Sequence, residues 1–188
     1  MFYHASKTQG IAILKPHVSN HGKPLVYFSR KRENVLVYLC NAVEKHCKLV
    51  GFSHNGAYRK WGSYGFTKEK VFCLQEYYPD ATIDTYMGES GYIYSAEIIG
   101  DYSVQEDIPD AVISEHEVPV TGCEYVPDAY DAIQKAINNR EIVLQKYADN
   151  SQAMLDWIEK AIKTEYQNAE KEPEYREFLQ AKFPFLAR

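Results

Sequence analysis

The pattern of apolar and polar positions is clearest between residues 24 and 43. Residues 24–28 form a short apolar run of aromatic and branched side chains, which predicts a largely buried strand. Beyond this run, apolar residues such as Val35 and Leu39 recur at helical spacing and predict a helix with one buried face. Ser29 lies between the two, where its hydroxyl is suited to cap the first turn of the helix. This segment is therefore predicted to form a strand, a tight turn and a helix.

Further apolar runs bounded by turn residues occur before and after this segment, and they predict additional strands. The predicted strands cover residues 2–6, 11–14, 24–28, 71–74, 82–86, 91–99 and 112–123. One well-formed helix interrupts them, which is typical of an α+β fold and not of a repeating βαβ pattern.

The pattern changes after residue 125, where apolar positions follow a helical period. Three amphipathic helices are predicted, beginning near Pro127, Asp149 and Pro173. No stretch rich in Gly, Ser and Pro separates them from the strands, so we expect them to pack on the sheet. The predicted organisation is a strand-rich core of residues 1–125 followed by a helical extension of residues 126–188.

Composition and charge argue against several classes of protein. The 188 residues are 45% hydrophobic, enough for a substantial core, and the net charge of −5 argues against non-specific nucleic-acid binding as the main function. A local basic patch is still compatible with that charge. The N-terminus has no apolar signal region, and the longest apolar run, residues 35–40, is too short to cross a bilayer. We therefore expect a cytoplasmic protein with no membrane partner.

The spacing of cysteine and histidine residues does not predict a metal site. The four cysteines lack CxxC spacing, which argues against a zinc knuckle or a redox pair and favours reduced thiols. His17 and His21 are four residues apart, but the Ser, Asn and Gly around them predict a loop, in which this spacing does not define a common face.

Two of the predicted strands carry side chains suited to ligand binding. His4 lies in the first strand and is followed by Ala5 and Ser6, whose small side chains let a ligand approach the backbone while His and Ser supply hydrogen bonds. Tyr27 lies in the next strong strand, with Ser29 two residues later. Each of these residues alone is more typical of a packed sheet, so only their order along the chain suggests a site.

That order resembles the ADP-ribosyltransferase fold. FYHAS at residues 2–6, VYFS at residues 26–29 before a helix, and GYIYSAEI at residues 91–98 follow one another as in that fold. The resemblance is greatest to the small rifamycin-inactivating ADP-ribosyltransferases, with poly(ADP-ribose) polymerases and tRNA 2′-phosphotransferases as distant relatives. It extends loosely over residues 112–125, and it departs from the family at Ala5, which replaces the usual glycine and crowds the approach to the backbone.

The resemblance implies a split antiparallel β-sheet, NAD as a substrate and transfer of ADP-ribose to an acceptor. His4 would then bond the ribose on the nicotinamide side, and Tyr27 would stack on the nicotinamide ring. Ser6 and Ser29 would line the same pocket. The acceptor cannot be inferred from the sequence, and protein, nucleic acid and small molecules all remain open.

This reaction also requires a carboxylate, because an N-glycosidic bond breaks through a centre that resembles an oxocarbenium ion. Glu117 is the first candidate, and Glu115 is expected on the same strand face because it is two residues away. Asp101, just after the strand at residues 91–99, is the candidate if the rifamycin-modifying enzymes are the better guide.

Two alternative functions remain at this stage. A non-catalytic nucleotide-binding or protein-interaction module would have His4 and Tyr27 together without an acid beside them. Phosphotransfer from RNA would require arginines in the pocket, for which Arg30 and Arg32 are the early candidates. The cations at residues 30–32 oppose the dipole at the start of the predicted helix, and a bound phosphate would offset that effect.

Overall fold

Most strands belong to one antiparallel sheet in the computed structural model, which describes residues 1–18 and 22–187. The strands are β1 Phe2–Ser6, β2 Ile13–Leu14, β3 His17–Val18, β4 Pro24–Ser29, β5 Tyr64–Phe66, β6 Phe72–Gln75, β7 Gly91–Ala96, β8 Tyr102–Val104, β9 Ala111–Ser114, β10 Val118–Pro119, β11 Gly122–Val126 and β12 Ile142–Gln145. The main sheet has the order β11-β7-β1-β4-β9-β8, with β3 also paired to β4. Two small sheets, β10-β2 and β12-β6-β5, complete the strand pairing.

The strand β1 lies in the middle of the main sheet, but its two neighbours are joined to it very unequally. It pairs with β7 at five positions, from Phe2 opposite Ala96 to Ser6 opposite Tyr92. It pairs with β4 only where Tyr3 is opposite Ser29. The sheet therefore consists of two well-paired halves, β11-β7-β1 and β4-β9-β8, that meet at one residue pair.

Helices cover the sheet and fill the C-terminal part of the chain. The α-helices are α1 Ala42–Val50, α2 Ala81–Tyr86, α3 Ala129–Asn138, α4 Gln152–Asn168 and α5 Pro173–Lys182, and the 3₁₀ helices are Glu33–Leu39, Tyr147–Asp149 and Pro184–Ala187. This mixture of helices and antiparallel strands makes the fold α+β, as the sequence pattern predicts.

Each face of the main sheet contributes to a separate hydrophobic core. On one face, Ala5 and Ile93 pack with Leu36 of the first 3₁₀ helix and Ile133 of α3. On the other face, β2 and β10 cover a cluster that includes Phe28 and Tyr94. Because consecutive strand residues point to opposite faces, these clusters determine the face on which each site residue lies.

A third core lies among α1, α4 and α5, where Trp61 packs with Phe178 and Phe183. The neighbouring small sheet contains the one parallel pairing recorded among the described strands, between β12 and β6. The strand β12 follows α3 directly in sequence, so residues 126–188 include a strand as well as helices. The strand β11 also runs from Gly122 to Val126, across the predicted boundary after residue 125.

The helix predicted after Ser29 differs from the prediction in its start and its continuity. Ser29 Oγ accepts a hydrogen bond from Lys31 N at 3.1 Å, but the 3₁₀ helix begins only at Glu33 and has no side-chain cap. The backbone then becomes extended at Cys40, and Asn41 caps α1 by accepting a hydrogen bond from Val43 N. The single predicted helix is therefore two helices with a break between them.

Two other predicted strands are wrong. Residues 82–86 lie in α2, where Thr82 N donates to the buried carboxylate of Glu76 at 3.1 Å and gains a partner from outside the helix. Residues 112–123 do not form one strand. They are divided among β9, β10 and β11, and Ser114 Oγ accepts a hydrogen bond from His116 N in the bend after β9.

Candidate functional site

His4 lies at the position where β1 and β4 cease to pair. Its Nδ1 atom is 2.8 Å from the backbone carbonyl oxygen of Tyr27, and its ring meets the Phe28 ring edge to face with centroids 6.0 Å apart. A carbonyl oxygen can only accept, so Nδ1 carries the hydrogen and the neutral ring presents Nε2 as an acceptor. The side chain thus spans the gap between two strands and keeps one ring nitrogen for another partner.

The surroundings of His4 favour this neutral form. Burial lowers the pKa of His4 most, the hydrogen bond to the Tyr27 carbonyl partly offsets that effect, and the charges of Lys60 and His17 lower the pKa further. The ring is therefore neutral at pH 7, because its ordinary pKa is already below that pH. The electrostatic effects of Lys60 and His17 on His4 both come from potential cations.

Tyr27 is adjacent to His4 through its backbone, but the two side chains lie on opposite faces of the sheet. Tyr27 precedes Phe28 on β4, and Phe28 shares the face of His4. Tyr27 is half-buried on the face to which Ala5 belongs. The two strands are neighbours, as the resemblance implies, but the side chains do not line one cleft, and this counts against the implied roles of His4 and Tyr27 in one pocket.

The two predicted serines lie at the ends of these strands and take part in turns. Ser6 Oγ accepts a hydrogen bond from Thr8 N at 3.1 Å, in the same way as Ser29 Oγ accepts one from Lys31 N. Ser29 is buried, whereas Ser6 is half-buried. Each hydroxyl group keeps its own hydrogen for donation to a further acceptor.

The three predicted acids are exposed and lie outside the strands, in the segments after β7 and after β9. Asp101 is exposed in the bend between β7 and β8, and Glu115 is exposed in the bend after β9. Glu117 is exposed and lies 3.3 Å from Lys15 Nζ. Since a bend separates Glu115 from β10, the prediction that Glu115 and Glu117 share a strand face is wrong.

A different acid, Glu124, lies on the half of the sheet that contains His4. On β11 it is opposite Ile93 of β7, which is in turn opposite Ala5 of β1. Two strand spacings place its backbone ~10 Å from that of Ala5. The predicted last strand ends at Cys123, three residues before the end of β11 at Val126, and the spacing of the acids does not distinguish Glu124.

Glu124 forms a two-point ion pair with Arg32. The Nε and Nη2 atoms of Arg32 donate to the two carboxylate oxygens at 2.8 and 2.5 Å. The hydrogen bond with Arg32 lowers the pKa of Glu124, so this carboxylate is ionised at neutral pH. The pair connects the start of the first 3₁₀ helix to the edge strand β11.

The other cations of residues 30–32 also have partners within the chain. Lys31 Nζ lies 3.2 Å from Asp110, and the Arg30 guanidinium lies 5.9 Å from the centroid of the Tyr102 ring. The predicted attraction of a phosphate to this segment therefore competes with contacts that the protein already makes.

Within residues 1–18 and 22–187, no group of three or more His, Cys, Asp or Glu side chains is arranged to hold a metal ion. His17 lies in β3, and His21 lies outside the described residues. All four cysteines are free thiols; Cys47 and Cys73 are buried, and Cys123 is exposed.

Two concave regions lie beside the loop that contains Trp61 and Gly62. The smaller is bordered by α2, and the larger is a groove of about 580 Å³ between this loop and α4. Neither of these two regions includes His4 or Tyr27.

The chain matches no protein-family model, no curated protein and no solved structure. In the described part of the chain, no helix combines the length and the apolar character needed to cross a bilayer.

Proposed function

We propose that this protein binds NAD at the gap between β1 and β4 and transfers its ADP-ribosyl group to an acceptor. The observation that carries the proposal is the position of His4. Its Nδ1 hydrogen is held by the Tyr27 carbonyl, so its neutral Nε2 atom is ready to accept a hydrogen bond from a ribose hydroxyl.

The strand pairing around His4 supports the same proposal. Beyond Tyr3 and Ser29, β1 and β4 have no further register pairs, so backbone amide and carbonyl groups along the gap are not held in a ladder. Such groups suit the carboxamide of nicotinamide, which both donates and accepts hydrogen bonds. Tyr27 and Ser6 border this gap from β4 and β1 and would contribute an aromatic ring and a hydroxyl.

In the proposed reaction, the bond between nicotinamide and ribose C1′ breaks, and the electron pair of that bond leaves with nicotinamide. The acceptor then forms a bond to C1′ and loses a proton to solvent. A carboxylate that bonds a ribose hydroxyl would stabilise the positive charge at C1′. Glu124 replaces Glu117, Glu115 and Asp101 as the candidate for this role, because it lies on the same half-sheet as His4, although its side chain is on the face of Ala5 and Tyr27 and not on the face of His4.

The second candidate function is NAD binding without catalysis. It is favoured by the electrostatic surroundings of His4, where Lys60 and His17 are potential cations. It is also favoured by the ion pair between Glu124 and Arg32, because this carboxylate already has a partner within the chain. In that case the chain would recognise NAD and act through another partner.

Calorimetric titration with NAD tests the binding step. The His4→Ala variant should bind NAD about 2- to 12-fold more weakly than the wild type, because a hydrogen bond worth about 0.5–1.5 kcal/mol is lost. His116→Ala is the matched control, since His116 is exposed in the bend after β9. Thermal melts of both variants check that they remain folded. No binding by the wild type at millimolar NAD would refute the proposal.

An assay of nicotinamide release separates the two candidate functions. Under transferase activity, Glu124→Gln should retain NAD binding and lose at least about tenfold in turnover, because the charge acts chiefly on the transition state. Glu117→Gln should then resemble the wild type. If Glu117→Gln lost turnover and Glu124→Gln did not, Glu117 would instead be the catalytic carboxylate. Binding without any release by the wild type would assign the non-catalytic function.

A further inference from the structure

The groove between α4 and the loop at residues 59–62 has walls that are rich in aromatic rings. Trp61 meets Tyr77 edge to face with centroids 6.3 Å apart, and Tyr77 meets Trp157 in the same way at 5.9 Å. Trp157 remains 51% exposed, which is unusual for so large an apolar side chain. The volume of about 580 Å³ lies within the range of small-ligand sites. This surface therefore suits a planar ring.

The same groove carries uncompensated positive charge. Lys60 and Lys160 line it and are exposed, and within the described residues neither ammonium group has an ion-pair or hydrogen-bond partner. Arg59 and Glu165 also line the groove, but they pair with each other at 3.2 Å, and Arg59 further contacts Glu172 at 3.0 Å. The two lysines thus form a local cationic site on a chain whose net charge is −5.

We propose that this groove binds a nucleotide, with the base against Trp157 and Tyr77 and the phosphate between Lys60 and Lys160. Bases stack on exposed aromatic side chains, and lysines provide point charges for phosphate. The volume of about 580 Å³ commits the proposal to a free mononucleotide. This site is separate from the gap between β1 and β4, and it does not depend on NAD binding there.

Intrinsic tryptophan fluorescence gives a specific signal for the groove, because the chain has two tryptophans and both line it. Titration with adenosine 5′-monophosphate should change this fluorescence in a saturable way. Lys60→Ala and Lys160→Ala should each weaken binding about fivefold and reduce its dependence on salt. Lys163→Ala is the matched control, because Lys163 lies on the same helix but pairs with Glu159. His4→Ala should leave this affinity unchanged.

Several outcomes would overturn the proposal. No saturable change at about 10 mM mononucleotide would exclude the site. Equal affinities for the wild type and both lysine variants would exclude the predicted phosphate position. Loss of binding in His4→Ala would place the nucleotide at the gap between β1 and β4 instead. A pentaadenylate that binds at least about tenfold more tightly than the mononucleotide would identify a single strand as the ligand.

Discussion

The two sides of β1 differ in how completely the strand is paired. Toward β7, it is paired at every residue from Phe2 to Ser6, and the partner strand is buried at Ile93 and Tyr94. Toward β4, it is paired once, and the His4 side chain takes the place of the next backbone contact. The first side therefore contributes stability, whereas the second has a single backbone pair and is where we propose that a ligand binds.

The largest effect is expected on the fully paired side. Ile93→Ala should lower the free energy of unfolding by about 2–5 kcal/mol, because Ile93 is 2% exposed and its removal leaves a cavity between the sheet and the helices. Urea denaturation followed by circular dichroism measures this change.

Ile98→Ala provides the control for Ile93→Ala. Ile98 follows the same strand but is 80% exposed, so its replacement should change the free energy of unfolding by less than about 0.5 kcal/mol. If the two variants lost similar amounts of unfolding free energy, the paired side of β1 would not contribute the stability that we expect from it.

A smaller effect is expected at the edge of that half-sheet, where Arg32 holds Glu124. Arg32 lowers the pKa of Glu124, so the pair stabilises the native state above the ordinary carboxylate pKa and loses this effect as the pH falls through the native pKa. Because Glu124 is about half exposed, Glu124→Gln should cost only about 0.5 kcal/mol at pH 7.

Denaturation at several pH values tests this assignment. The stability difference between the wild type and Glu124→Gln should shrink as the pH falls from 7 to below 4, in step with protonation of the carboxylate. A difference that stays constant over this range would mean that the charge of Glu124 is not what stabilises the fold.

The smallest effect concerns the open side of β1. Burial lowers the pKa of His4, so its NMR resonance should titrate below the ordinary value of 6.5. The unfolded chain then binds a proton at a higher pH than the native state, and His4 lowers native stability as the pH falls from 7 toward 5. His4→Gln should lose that part of the pH dependence. A resonance that titrates above 6.5 would contradict the buried position of His4.

The sequence predicts the central strands better than the helices that adjoin them. β1, β4 and β7 are found where their apolar runs place them, because their side chains are buried by the sheet itself. The branched residues at 82–86 favour a strand, but the Glu76 carboxylate provides a partner for the first turn of α2 through a tertiary contact that no local pattern contains. The sequence pattern does not predict the strand β12, because the apolar residues of β12 also fit a continued helical period.

The site is less predictable than the fold for a related reason. The sequence identifies His4 and Tyr27 as polar groups on neighbouring strands, but the faces they occupy depend on strand register. The position of Glu124 depends on pairing across β7, which joins segments about 30 residues apart, since Glu124 is opposite Ile93. The groove beside Trp157 requires α4 and the loop at residues 59–62 to come together, and no sequence motif records that contact.

The parallel pairing of β12 with β6 also has a consequence for synthesis of the chain. Ile142 lies opposite Phe72, about 70 residues earlier, so β6 has neighbours on both sides only after β12 has left the ribosome. Until then, one edge of β6, with its buried Phe72 and Leu74, lacks its final partner in the nascent chain. The small sheet is therefore complete only when the C-terminal segment has been synthesised. A chain that ends before residue 142 would expose an unpaired edge of β6, to which strands of other chains could pair.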